Sequence, residues 1–148
     1  MKRRAIALEV IVFLYIVMLM YAGVSKLIHY DKTYQQMWNQ PFDTMFAPFL
    51  TWFIPSLEIL LCVLLAWGRT RKWGLYGATA LMAVFTVYVG IIWFGRDNFK
   101  VPCSCGGFLA AMDWPEHFWF NLTYVALGII GIYLHNRPFI STERRLAA

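Results

Sequence analysis

Two cysteines one residue apart, Cys103 and Cys105, followed by Gly106 and Gly107, are the residues of this chain best suited to covalent chemistry. In an oxidising compartment neighbouring thiols form a disulfide unless a reductant or a metal holds them. A bridge across a single intervening residue closes a small, strained ring, and strained bridges are the easily reduced ones. Such a pair suits electron exchange with a partner dithiol. The two glycines free the backbone to present it, and Arg96 and Lys100 nearby favour the attacking thiolate. The spacing also admits two other readings. One is a bridge that pins a loop; the other is a zinc or copper site built from Cys103, Cys105, His117 and His29.

Glu58 is the second chemically pointed residue. It falls inside an apolar run, where an ionised carboxylate costs about 3 kcal/mol on insertion scales, so it must face the bundle interior, carry a proton, or pair. Pro55, three residues earlier, removes a backbone donor and frees the carbonyl of Thr51 beside it. Proton handling or cofactor contact is one reading of Glu58; a protonated carboxyl bonding a helix backbone is the other. Lys26 ends another apolar run and is expected to snorkel to the interface, with a functional cation as the alternative. Glu9, about a turn from Arg3 and Arg4, is expected to pair with them. Cys62 lies about 24 Å along its helix from the outer end, too deep to bridge the other cysteines, and reads as packing. His135 stands alone, so no pair of histidines is available to hold a haem across the membrane.

The elements that position these groups follow from composition. Of 148 residues, 60% are hydrophobic and only 14% charged, which excludes an ordinary soluble domain. The net charge of +5 is not gathered into a basic stripe, and no nucleic-acid motif accompanies it. Four segments are apolar over the roughly 20 residues a bilayer requires: 5–24, 47–67, 73–94 and 114–134. In lipid each must be a helix, because only a helix satisfies its own backbone. The first run contains Glu9, lacks a small-residue cleavage site and exceeds a signal-peptide core, so a retained helix is expected. The fold class is therefore all-α: one polytopic domain, an antiparallel bundle of four transmembrane helices over residues 1–148.

Nine cations (Lys2, Arg3, Arg4, Arg69, Arg71, Lys72, Arg137, Arg144 and Arg145) fall on one side, against Lys26, Lys32, Arg96 and Lys100 on the other. The bias places both termini in the cytoplasm and the 25–46 and 95–113 segments outside. Residues 25–38 are expected to prolong the first helix, with Tyr34, Met37 and Trp38 on the interface. Asp113, Pro115 and Glu116 look like a capping box that opens the fourth span. Gly74, Gly77, Ala78, Ala80, Ala83, Gly128 and Gly131 read as close-packing positions, and the tryptophans mostly as interface anchors.

The run Tyr21-Ala22-Gly23-Val24-Ser25-Lys26-Leu27 and the run Phe53-Ile54-Pro55-Ser56-Leu57-Glu58-Ile59-Leu60-Leu61 resemble the first two helices of the MauE/DoxX family of small four-helix membrane proteins. The resemblance implies a redox association and a part in forming disulfides in, or maturing, an exported partner. It aligns Gly23, Lys26, Pro55 and Glu58 with the family's helix features, and Cys103 and Cys105 with its outer cysteine motif. The Cys-x-x-Cys of DsbB-type and vitamin K epoxide reductase-type oxidases is missing, which argues against a self-contained quinone-coupled oxidase.

The expectation is thus a bacterial inner-membrane redox accessory that exchanges thiols and disulfides with a periplasmic or membrane partner. Cys103, Cys105, Glu58 and Lys26 carry the chemistry, with no cofactor that the sequence requires. The alternatives are a non-catalytic docking subunit of a larger membrane complex and a Cys/His metal-handling protein.

Overall fold

The computed structural model describes residues 2–38, 44–95 and 113–136. Its elements are α1 (Lys2–Ile28), α2 (Tyr30–Trp38), a 3-10 turn (Thr44–Phe46), α3 (Ala47–Ala66), α4 (Arg71–Phe94) and α5 (Trp114–Asn136). All are helical, and four are long and apolar enough to cross a membrane: Arg3–Ile28, Ala47–Ala66, Arg71–Phe94 and Trp114–Asn136. The protein is a multi-pass membrane protein whose surroundings are the lipid bilayer. Large apolar side chains such as Phe13, Val17, Leu60, Val84 and Ile129 cover its outside, as a lipid-facing surface requires.

The spans agree with the expected ones except at the end of α1, which runs to Ile28. The chain beyond it is a separate short helix, although the hydrogen bonds His29 N–H to Ser25 O and Thr33 N–H to His29 O nearly join the two. Thr33 and Met37, one turn apart, bury the inner face of α2. Tyr30 stacks on Tyr34 and meets Trp52 of α3 with ring centres 5.3 Å apart. The first half of α3 therefore packs on α2, and its second half on α1.

Helix α1 packs chiefly on α3 and α4 on α5, with the α3–α4 hairpin joining the two pairs. Because lipid is as apolar as leucine, close packing and a few polar ties must hold these contacts. Tyr15 is fully buried on α1; its hydroxyl donates to Tyr124 O on α5 at 2.6 Å, and its ring meets that of Tyr124 edge-on. Gly128 makes room for this contact. A Cβ there would lie 2.8 Å from Thr79 Cγ2 and would also strike the Tyr15 hydroxyl. Gly74 brings the first turn of α4 against the last turn of α3, where a Cβ would lie 2.8 Å from Leu65 N. Ala78 is fully buried as expected, whereas Ala80 faces outward and takes no part in helix packing.

Hydroxyls inside the spans satisfy themselves locally. Thr51, Ser56, Thr79, Thr86 and Thr123 each donate to the carbonyl four residues back, at 2.7–2.8 Å. The α3–α4 turn is closed the same way: Thr70 Oγ1 donates to Leu64 O and Trp67 O, and Arg71 Nε to Leu65 O. These bonds cover carbonyls that the end of α3 would otherwise leave open.

Candidate functional site: a buried ion pair among α1, α3 and α5

Glu58 occupies the inner face of α3 at 1% exposure, and Lys26 of α1 reaches it at 4% exposure, its ammonium donating to Glu58 Oε1. Two local features make this meeting possible. Gly23, one turn before Lys26, has no side chain where α1 crosses α3. A Cβ there would lie 3.2 Å from Ile59 Cγ1, 3.3 Å from Pro55 O and 3.4 Å from Glu58 Cβ. Beyond α1, Thr33 of α2 donates to Lys26 O at 3.3 Å and closes over the lysine. The Lys26 ammonium also stands 5.7 Å from the centre of the Phe85 ring of α4, within cation–π range.

Lys26 therefore does not snorkel. The expectation assumed that the end of α1 is an edge of the protein, but α2 and the outer turns of α3 continue past it and seal it. Glu9 also departs from expectation: its Oε1 accepts from Arg71 Nη1 at 2.6 Å, at the start of α4, instead of pairing with Arg3 or Arg4.

The pair borders a small space of about 20 Å³, which Ala22, Met82, His117 and Asn121 also line. His117 and Asn121 are both 3% exposed and lie one turn apart on the same face of α5. His117 is thus inside the bundle, and not at the outer surface where a helix-start histidine is usually found. His29 is exposed at the α1–α2 junction. Two polar atoms at this site have no hydrogen-bond partner among the described residues: Glu58 Oε2 and Asn121 Nδ2. Buried polar atoms left so cost about 1–3 kcal/mol each, which makes the site one of stored polar capacity as well as of packing.

Sequence reasoning named Lys26 and Glu58 separately but did not join them, and it missed Asn121. A signal was present. His117 and Asn121 are polar residues spaced i and i+4 on a largely apolar span, a pattern that places both on one face of the helix.

Cys103 and Cys105, with Arg96, Lys100, Gly106 and Gly107, lie outside the described residues. Among the described residues no group of three or more His, Cys, Asp or Glu side chains forms a metal-binding set. Cys62 is buried, as expected, with its thiol donating to Ile16 O at 3.6 Å. One arm of the expected capping box is in place: Glu116 accepts from Asp113 N–H at 3.3 Å as α5 begins.

Fold and site together define a four-span helical membrane protein with a lysine–carboxylate pair sealed among its helices. The family described as methylamine utilisation protein MauE matches residues 4–134, nearly the whole of the 148-residue chain, and the protein belongs to that family. Neither a curated protein nor a solved structure matches the chain.

Proposed function

We propose that this protein is an inner-membrane redox accessory of methylamine utilisation, exchanging thiols and disulfides with an exported partner through Cys103 and Cys105. The family membership carries the reading. The pair of cysteines between α4 and α5 supplies the chemistry, and the cation bias supports placing that segment on the oxidising side.

The exchange balances without a further reagent. The Cys105 thiolate attacks a sulfur of the partner's disulfide; a mixed disulfide forms and one partner thiolate leaves. Cys103, deprotonated in turn, attacks Cys105 Sγ, closing the Cys103–Cys105 bond and releasing the second partner thiolate. Two electrons pass to the partner, whose sulfurs take up the two protons that the cysteines gave up. Run backwards, the same steps oxidise the partner. In this reading Lys26 and Glu58 hold α1 to α3 and set the protonation of the bundle interior.

The test is thiol trapping in intact cells, with wild type compared against Cys103→Ser/Cys105→Ser. The reading expects a mixed disulfide with an exported protein in single-cysteine variants, and a changed thiol status of that protein in the double variant. Unchanged partner thiols with an intact membrane assembly would instead assign the chain a docking role. Labelling of the cysteine segment from the cytosolic side by an impermeant maleimide would overturn the topology and the exchange together.

A further inference from the structure

Glu58 presents its two oxygens to different surroundings. Lys26 holds Oε1, while among the described residues Oε2 has no partner; Asn121, which lines the same small space as Glu58, has an Nδ2 that is also without one. An unpartnered acceptor and an unpartnered donor on two residues that line one cavity call for a group that can donate and accept on a single atom. About 20 Å³ is room enough for a water, which needs roughly 10–15 Å³.

We infer that this cavity is a proton-binding site in which a single water links Glu58 Oε2 to Asn121 Nδ2, with Oε2 as the atom that takes and gives up the proton. The water satisfies both protonation states. With Oε2 ionised, it donates to Oε2 and accepts from Asn121. With Oε2 protonated, the new O–H donates to the water oxygen, whose second lone pair still accepts from Asn121. The lysine contact at Oε1 is kept throughout, so the carboxyl gains or loses a proton without breaking the Lys26 hydrogen bond.

Among the described residues, the groups facing the site from each helix are few. Helix α1 supplies Lys26, α3 supplies Glu58 with Cys62 one turn further on, and α5 supplies His117. Helix α4 offers only Met82 and Phe85, and α2 turns Asp31 and Lys32 outward. His117 is one turn nearer the start of α5 than Asn121 and lines the same space, which places an imidazole between the carboxyl and that end of the bundle. The inference does not depend on the cysteine exchange.

The test is infrared difference spectroscopy on the full-length protein in lipid nanodiscs, stepping pH across the range in which helix content is unchanged. Wild type is expected to gain and lose one protonated-carboxyl C=O band, absent from Glu58→Gln. Asn121→Leu is expected to move that band to higher frequency and to abolish one water O–H band that shifts in H₂¹⁸O. Asn121→Ser, which keeps a smaller polar group, is expected to give an intermediate band and guards against a folding defect in the leucine variant. Absence of any Glu58-dependent band, or a band and water signal that neither Asn121 variant changes, would overturn the assignment.

Discussion

Helix α1 carries two acidic–basic pairs about 25 Å apart along its axis, and they differ in almost every respect except charge. At one end Glu9 meets Arg71 with side chains 60% and 22% exposed; toward the other, Lys26 meets Glu58 with 4% and 1% exposed. The first pair sits where water and salt screen it, so each charge is tolerable alone. The second is sealed from water among the helices, so a charge left alone there is costly. A pair at the rim decorates the fold, whereas a pair in the interior helps to hold its helices together.

The largest expected effect comes from breaking the inner pair one side at a time. Lys26→Met leaves the Glu58 carboxyl uncompensated and should cost about 3–5 kcal/mol, read as lost resistance to denaturation in a lipid-like medium. Lys26→Met combined with Glu58→Leu should recover most of that loss. If the double variant were as unstable as the single one, the cost would lie in packing and the comparison would fail.

A smaller loss is expected from crowding the contact that lets the inner pair form. Gly23→Val pushes against Ile59 Cγ1 and Pro55 O and should cost about 1–3 kcal/mol, with α1 and α3 held apart. Crosslinking between cysteines introduced on facing turns of these helices would detect the separation, and an unchanged yield would show that the site does not need the glycine.

The outer pair should matter least. Glu9→Gln is expected to change stability by less than about 1 kcal/mol, and added salt should erase the difference. A loss as large as that of Lys26→Met would mean that the rim pair bears on the fold after all.

How much of this was legible in the chain follows from the range of each signal. The four spans, the inward face of Glu58, the burial of Cys62 and the helix start at Asp113 all rest on composition or on residues within a turn of one another, and the structure agrees. The partners of Lys26 and Glu9 did not emerge, because they lie 32 and 62 residues away and depend on which helices pair. Lys26 was misread because a lysine near a helix end looks the same whether that end meets water or lies under another helix. Ala80 was misread because a small residue marks a close contact only on the face that packs.

The turn between α3 and α4 has a practical consequence for anyone altering this protein. Thr70 and Arg71 are latched to the carbonyls of the preceding helix, and Gly74 rests on its backbone, so the two spans share a rotational phase. One added residue there would swing α4 by about 100°, carrying Leu75 and Ala78 away from the core and turning lipid-facing side chains inward. A reporter spliced at that corner would scramble the molecule it was meant to observe.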